Sequence, residues 1–466
     1  MFNLSFWRSS PMRTLFVFLV STFFIVMAQP AFSAGFALKE QSASALGNAF
    51  AGATAAAEDV SYMFFNPAAL GQLEGNQLSV VGSYIAPSSE MKDGTATTIL
   101  GTPIGGNSSE GDAAKNVVLP AGYVSWALTD EWRFGLAVTV PYGLETNYDR
   151  DWIGRYHAVN SRLQTMNINP VLAWKANEKV TLAFGFQAQY AEAELTNAID
   201  FGTIAMAAKA KAQADGKDIE LPDATPAGHD GYAKMEGDDW GFGYNLGLMI
   251  EPREGTRIGL AYRSKVHHNL RGDIDFRLDN DGVGAALSQA TGRFVDSRIT
   301  ADLTTPETVS IGLYHEITPR WAVMADATLT RWSRFDELRV QFDNPAEEDN
   351  VTIEDWNDSW FYALGLTWKP SEKYALRIGV AHDETPIPDR TRTPRIPATD
   401  RTWLALGGHY KLNDSWGFDA GYTHIWVEDS SIELEATPTN DTFRGNLDAD
   451  YENDIDIVTL SATYTF

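Results

Sequence analysis

The sequence predicts an all-β membrane protein, a closed antiparallel transmembrane β-barrel of fourteen strands with a non-barrel segment before the first strand. Three observations predict this fold. Apolar and polar residues alternate with a period of two in many segments, the connections between these segments are alternately short and long, and the chain ends in an alternating strand closed by an aromatic residue. Such alternation is typical of a sheet whose two faces meet lipid and a polar lumen.

The first 33 residues have the features of a secretory signal peptide. Arg8 and Arg13 precede an apolar run at 15–28, and the small residues Ala31 and Ser33 follow it. A basic start, a short apolar stretch and a small-residue end predict cleavage after Ser33 and export from the cytoplasm. A retained membrane anchor is the alternative, but the run is shorter than the roughly 20 apolar residues of a spanning helix.

The strands are predicted from alternation such as Leu182, Phe184 and Phe186 on one face against Gly185 and Gln187 on the other. Fourteen segments of this kind are predicted, at 77–86, 117–128, 132–141, 162–174, 179–194, 239–251, 256–271, 306–317, 320–331, 355–369, 373–383, 401–411, 416–428 and 455–466.

The connections between these segments alternate in length. Short polar turns, such as 129–131 and 176–178, alternate with long connections, such as 195–238 and 429–454. A barrel with both termini on the periplasmic side has short periplasmic turns and long outer loops. A soluble β-propeller or β-sandwich is the alternative. We find no repeat of 40–50 residues of the kind a propeller shows, and the segments are longer than typical soluble strands.

The C-terminal strand is the most specific local signal. Val458, Leu460, Ala462, Tyr464 and the terminal Phe466 alternate with Ser and Thr. Bacterial outer-membrane barrels typically end in such a strand with a final aromatic residue. Together with the signal peptide, this ending predicts the bacterial outer membrane as the location.

Composition excludes several functions. The 466 residues contain no cysteine, which excludes disulfides, thiol catalysis and Cys-ligated metals, and the net charge of −26 argues against nucleic acid. The eight histidines show no H-x-x-x-H spacing, and the calcium-like sequence 279–282 lacks the required glutamate. The sequence therefore predicts no catalytic residue, no metal site and no cofactor.

Residues 34–76 interrupt the barrel pattern. This segment is rich in Ala, Gly and Ser and ends in the sequence Phe64-Phe65-Asn66-Pro67-Ala68. It is either a periplasmic tail or a plug inside the lumen. Small side chains allow close packing against a wall, and disordered tails are usually more charged, so we expect a plug.

The chain resembles the outer-membrane long-chain fatty-acid transporter family (FadL type, with its aromatic-hydrocarbon-uptake relatives). The motifs that carry the resemblance extend over nearly the whole mature chain and are Gly35-Phe36-x-Leu38-x-Glu40, Leu46-Gly47-x-Ala49, Asn66-Pro67-Ala68, Met166-Asn167-x-Asn169, Gln189-Tyr190-Ala191-x-Ala193, Trp240-Gly241-Phe242-Gly243, Tyr262-Arg263-Ser264, Pro386-Ile387-Pro388, Ile396-Pro397 and Asp400-Arg401-x-Trp403.

The resemblance implies a barrel at 77–466, a hatch at 34–76, and passive uptake of long-chain fatty acids or similar hydrophobic compounds by a monomer, with lateral release into membrane lipid. Uptake of aromatic hydrocarbons such as toluene is the first alternative. A general porin and an outer-membrane lipid hydrolase are further alternatives, although we expect no enzyme activity.

The resemblance also implies a gate. Asn66, Pro67 and Ala68 match the hatch motif, and Pro141 and Gly143 lie where the family has a kink in its third strand. From the residues alone, Asn66-Pro67 is equally compatible with an ordinary turn into the first strand, whereas Pro with Gly indicates an interrupted ladder.

Two outer loops carry the ligand-capture candidates. Residues 203–213 have high helix propensity. The candidates for an outer hydrophobic groove are Ile204, Met206, Val283, Leu287 and Phe294. The alternative is that these side chains only pack the two loops together.

The expected headgroup site departs from the family pattern. Fatty-acid-transporting members hold the carboxylate with two basic residues, and Asn197 and Thr352 occupy these positions here, while the matching Phe36 is retained. A buried carboxylate without a cation is costly. The replacement candidates are Arg263, Arg377 and Arg395, and Arg377 has the alternative role of a lumen charge bonded to the wall.

Overall fold

The computed structural model describes residues 35–108, 111–217, 219–437 and 441–466, so the predicted signal peptide lies outside the described residues. The described residues form twenty strand segments: β1 (Gln77–Thr97), β2 (Val117–Ala127), β3 (Trp132–Thr139), β4 (Gly143–Asn147), β5 (Asn160–Asn177), β6 (Val180–Asp200), β7 (Asp230–Arg253), β8 (Thr256–Arg263), β9 (Val266–Arg277), β10 (Ser297–Thr305), β11 (Thr308–Thr318), β12 (Trp321–Thr330), β13 (Glu337–Phe342), β14 (Asn350–Ile353), β15 (Ser359–Ser371), β16 (Tyr374–Asp383), β17 (Arg401–Lys411), β18 (Trp416–Val427), β19 (Ser430–Leu434) and β20 (Asn446–Thr465).

These segments form one closed antiparallel barrel of fourteen strands, which confirms the predicted fold class. Six wall strands are each broken once, so that β3 with β4, β8 with β9, β10 with β11, β12 with β13, β14 with β15, and β18 with β19 each form a single crossing. The barrel closes where β20 pairs with β1, from Gln77 opposite Thr465 to Thr97 opposite Asn446. Closure removes the sheet edges, which lipid cannot satisfy.

Alternation sets the two faces of the wall. In β16, Leu376, Ile378 and Val380 face outward and are about half exposed, whereas Arg377 and Gly379 face the lumen. The same outward position is taken by large apolar and aromatic side chains of the other strands. In the described part of the chain, no helix is both long and apolar enough to cross a membrane.

Residues 35–76, the described part of the segment predicted as a hatch and called the hatch below, pack inside the barrel against its wall. The hatch contains the short helix α1 (Ala43–Leu46) and two 3₁₀ helices, Val60–Phe64 and Pro67–Gln72. Nearly all of its alanines are buried, because small side chains let its backbone approach the wall closely. At Gly379, an added Cβ would come within 2.1 Å of the Asn48 backbone.

The strands extend further than the alternation predicts. β1 continues to Thr97, β7 begins at Asp230 and β20 begins at Asn446, and the hairpin of β13 and β14 is absent from the prediction. In β20 the outward side chains of this extension are polar and the apolar ones point inwards: Asp448, Asp450 and Glu452 alternate with the buried Leu447, Ala449 and Tyr451. The apolar face is therefore on the opposite side from the lipid-facing rows of the predicted strands.

Candidate functional site

The barrel wall is interrupted between β2 and the third crossing. β3 ends at Thr139 and β4 begins at Gly143. β2 pairs with β3 only from Gly122 to Ala127, so residues 117–121 have no ladder partner on this side among the described residues. The wall rejoins where Ala114 bridges Thr146. The predicted kink residues Pro141 and Gly143 therefore border a window in the wall.

The hatch fills this window from inside. Ala37 forms an antiparallel bridge with Tyr142. The Leu38 N–H donates to the Pro141 carbonyl over 2.8 Å, and the Gly143 N–H donates to the Phe36 carbonyl over 2.8 Å. Backbone groups that the kink withdraws from the sheet are thus satisfied by the hatch.

Two side chains satisfy the remaining backbone groups at the kink. The amide of Gln41, which is fully buried, donates to the Val140 carbonyl over 2.7 Å and accepts from the Val140 N–H over 3.3 Å. On the other side, Thr165 Oγ1 donates to the Tyr142 carbonyl over 2.7 Å and accepts from its N–H over 3.0 Å. The kink is therefore fully bonded only while the hatch is in place.

Phe36 occupies an aromatic box. Its ring contacts Tyr142, Trp332, Phe335 and Trp356, with ring centroids 4.6–6.0 Å away. Edge-on contacts of this kind stabilise aromatic clusters beyond the burial of their area. Phe36 is only 2% exposed. A hydrophobic ligand entering this box must take the place of the Phe36 ring.

The Asn66-Pro67-Ala68 motif fixes the other end of the hatch. Asn66 Oδ1 accepts from the Ala68 N–H over 2.9 Å and so caps the 3₁₀ helix that begins at Pro67. Asn66 Nδ2 donates to the carbonyls of Thr54 and Leu248, over 2.8 and 3.2 Å. The motif is therefore an attachment between hatch and wall as well as a turn.

A cavity of about 100 Å³ lies between the hatch and the wall. Its lining includes Phe50, Phe64, Phe361 and Trp403, together with the window residue Tyr142. Ligand pockets commonly have volumes of about 300–1,000 Å³. The cavity is smaller than this range and has no room for a long acyl chain.

A family comparison identifies the chain. The sequence profile of the family described as "Outer membrane protein transport protein (OMPP1/FadL/TodX)" matches residues 24–466. The chain belongs to this family. Its fold and this membership place it in the bacterial outer membrane, as predicted.

Relatives support the assignment along the whole chain. A putative outer membrane protein of Neisseria meningitidis serogroup B is 32% identical over 445 residues, covering 93% of this chain and 95% of the relative. The long-chain fatty acid transport protein of Escherichia coli K12 is 29% identical over 426 residues, covering 89% and 92%. The Escherichia coli relative is named as a transport protein.

Solved structures show the same fold. A crystal structure of a Pseudomonas aeruginosa FadL homologue aligns with a TM-score of 0.83 and 25% identity, covering 93% of this chain and all of the other. A crystal structure of the Pseudomonas putida toluene transporter TodX aligns with a TM-score of 0.65 and 17% identity, covering 92% and 99%. The second likeness concerns the fold alone.

The two outer-loop helices of this family member pack against each other. They are α2 (Phe201–Ala214) and α3 (Val283–Thr291). Four of the five groove candidates, Ile204, Val283, Leu287 and Phe294, form a buried cluster with Phe201. Met206 is 38% exposed. Four of these side chains therefore pack the two loops together, whereas Met206 is exposed to solvent.

Arg377 holds the hatch to the wall. Its guanidinium donates to Glu58 of the hatch over 2.5 Å and to Asp419 of β18 over 2.8 Å. Asp419 is also within 3.0 Å of His409 Nδ1. The Arg377 side chain is only 3% exposed, and both carboxylates are close to it. This is the wall-bonded role that the sequence left open for Arg377.

The outer end of the lumen contains two further arginines. Arg395 donates to Ser161 Oγ over 2.7 Å, and burial lowers the pKa of Arg395 to about 9. Arg444 donates to Thr352 Oγ1 over 3.2 Å. Burial also raises the pKa of Glu354 to about 8. Thr352 itself is uncharged, but Arg444 brings a cation to that position.

Asn197 and Arg263 have no carboxylate partner in the described chain. Asn197 donates to the adjacent Ala198 carbonyl over 2.9 Å. Arg263 donates to Gln187 and, over 2.6 Å, to the carbonyl of Phe64 in the hatch. Arg263 therefore binds hatch backbone, and it also lines the cavity.

Sequence reasoning missed Gln41, Lys39 and the tryptophans of the aromatic box. Lys39 lies inside the motif that begins at Gly35, and Gln41 directly follows it, and this location was the signal that the sequence offered. Trp332 and Trp356 lie in a long connection, far from Phe36 in sequence. Only the barrel topology brings these residues to the hatch.

Proposed function

We propose that this protein is a passive channel for long-chain fatty acids and similar hydrophobic compounds, which leave the lumen sideways through the window between β2 and β4. In this proposal residues 1–33 are the signal peptide, residues 34–76 are a movable hatch, and residues 77–466 are the barrel. In this proposal the channel functions as a monomer, and its own first and last strands complete the wall.

The observation that carries the proposal is the window closed by the hatch. An aqueous pore needs a continuous wall, whereas this wall is interrupted at the level of the cavity, beside Pro141 and Tyr142. The first hatch residues supply the missing backbone partners. Moving them would open the cavity towards the lipid that surrounds the barrel.

The route follows apolar side chains. Met206 at the outer loops receives the ligand, the aromatic box of Phe36 lies deeper, and the cavity beside Phe361 and Trp403 adjoins the window. Burying apolar area contributes about 25 cal/mol per Å², so an acyl chain gains several kcal/mol at each step. Because the closed cavity is small, this free energy can be used to displace the hatch.

The experiment compares uptake of radiolabelled oleate and toluene by cells that express the protein or a variant lacking residues 66–68. We expect oleate uptake by the complete protein and background uptake by the deletion variant, with both barrels folded as judged by heat-modifiable migration in SDS gels. Undiminished uptake by a folded deletion variant would overturn the gating role of the motif.

Other outcomes separate the alternative functions. Uptake of toluene without oleate would identify an aromatic-hydrocarbon channel. Large single-channel ion conductance of the complete protein in a planar bilayer would indicate a general porin. Release of free fatty acid from phospholipid by the purified protein would indicate a hydrolase.

A further inference from the structure

The connection between β16 and β17 folds into the outer end of the lumen. It leaves the wall at Asp383 and returns at Arg401, and these two residues are directly opposite each other in the ladder. The connection, residues 384–400, is called the strap below. None of these described residues belongs to a strand, yet most of them are buried, with Ile387 only 4% and Ile396 only 8% exposed.

The strap reaches the far side of the lumen. The Pro394 carbonyl accepts from the Tyr148 hydroxyl over 2.7 Å, and the Arg395 carbonyl accepts from Thr146 Oγ1 over 3.3 Å. The Arg395 guanidinium donates to Ser161 Oγ over 2.7 Å. Around the wall, β18, β20, β1 and β2 stand between β17 and the crossing that contains Thr146. The strap therefore spans the lumen and does more than cap its own hairpin.

Near its return to the wall, the strap is anchored to β19 and β20. The Pro397 carbonyl accepts from Ser430 Oγ over 3.1 Å and from Asn453 Nδ2 over 3.2 Å. The buried Arg392 donates to the Ser431 carbonyl over 3.0 Å. At the far end, the bonds come from single side chains. These side chains can release the strap without breaking a backbone ladder.

The inner face of the strap covers the aromatic box. Ile387 belongs to the same buried cluster as Phe36 and Trp356. The Pro386 carbonyl accepts from the Asn357 N–H over 2.8 Å, directly beside the box. The strap thus lies between the outer end of the lumen and the Phe36 ring, on the route from the outer loops.

We propose that the strap is an outer gate that acts in series with the hatch, and that it seals the lumen from the cell exterior until a hydrophobic ligand releases it from Tyr148 and Thr146. This inference rests on the proposed function and adds a second barrier to it. With two barriers in series, a ligand can enter the aromatic box while the window is still bonded to the hatch. The lumen then is never open to solvent and to lipid at the same time.

The test measures the association rate of radiolabelled oleate with purified full-length protein in detergent, for wild type and for the double variant Tyr148→Phe/Thr146→Val. Each substitution nearly keeps the shape of the side chain and removes the hydroxyl that donates to the strap. Two neutral hydrogen bonds correspond to on the order of tenfold in an opening equilibrium. We expect the double variant to bind oleate about tenfold faster, with barrel melting and hatch proteolysis unchanged. Tyr84→Phe, on the outward face of β1, is the matched control and should bind at the wild-type rate.

The outcomes separate the outer gate from the proposed function. An unchanged association rate in a folded double variant would overturn the outer gate and leave the hatch and the window as proposed. Faster binding together with faster hatch proteolysis would also overturn it, because the two hydroxyls would then be holding the hatch. If the double variant does not fold, Tyr148→Phe alone removes one hydroxyl and is expected to bind oleate severalfold faster. Absence of oleate binding by wild type would overturn the proposed function and this inference with it.

Discussion

A disulfide between hatch and kink provides a direct test of the window. Ala37 and Tyr142 are opposite each other, and the bonds on either side, Leu38 to Pro141 and Gly143 to Phe36, make them a non-hydrogen-bonded antiparallel pair. Such pairs have Cα atoms about 4.5 Å apart, within the range of about 4.4–6.8 Å that a disulfide spans. The chain has no native cysteine, so Ala37→Cys/Tyr142→Cys introduces the only thiols.

The expected effect follows from what now holds the hatch in the window. The two backbone hydrogen bonds contribute about 0.5–1.5 kcal/mol each, and burial of the Phe36 ring contributes about 1.5–3 kcal/mol. Opening then costs roughly 2.5–6 kcal/mol, so that on the order of one molecule in 10² to 10⁴ is open without ligand. A disulfide removes this open population.

The assay is radiolabelled oleate uptake by cells that express the double variant, before and after addition of a membrane-permeant reductant. We expect uptake near background in the oxidised protein and recovery on reduction. The single variants Ala37→Cys and Tyr142→Cys control for loss of the native side chains and should be insensitive to reductant. Equal uptake by the oxidised and reduced double variant would refute the window as the exit.

Three further predictions concern the hatch. Gln41→Leu removes both hydrogen bonds to Val140, which costs about 1–3 kcal/mol for each buried backbone group left unpaired. We expect this variant to raise the sensitivity of cells to hydrophobic antibiotics and to leave the melting temperature of the barrel unchanged. Gly247→Ala would place a Cβ 2.3–2.6 Å from polar atoms of the hatch motif, and should speed proteolysis of the hatch in purified protein. Burial raises the pKa of Glu40 to about 7, from a usual value of 4.5. The stabilisation that the bound proton of Glu40 gives to the folded hatch is complete below about pH 4.5. It is lost as the pH rises through 7, by on the order of 3 kcal/mol. Proteolysis of the hatch should therefore accelerate between pH 5 and 8 in wild type and not in Glu40→Gln.

Each of these has a contradicting result. Gly82→Ala is the control for Gly247→Ala, because nothing lies within 4 Å of its added Cβ, and equal proteolysis of the two variants would contradict close hatch packing. Unchanged antibiotic sensitivity of Gln41→Leu would show that the kink does not depend on this amide. A pH response retained in Glu40→Gln would assign it to another group.

The barrel itself was determined by local sequence. Period-two alternation, short turns and a terminal aromatic strand each depend on residues close together in the chain, and they predicted the fourteen strands. This works because a lipid-facing wall must alternate residue by residue. Beyond the lipid-facing part of the wall, the extensions of β7 and β20 turn their apolar side chains inwards, as with Met235 and Tyr451, so a prediction from outward apolar rows stops short of them.

The contents of the lumen were decided only by the tertiary structure. Phe36 meets Trp332 and Trp356, Arg377 meets Glu58, and Lys39 faces Phe361. These contacts join positions roughly 300 residues apart, and nothing in a local pattern records which wall position a hatch residue will reach. The sequence by itself thus determined the wall and the presence of a hatch. Only barrel closure, which fixes the register of every strand around one lumen, decided which side chains close the window and where a buried cation lies.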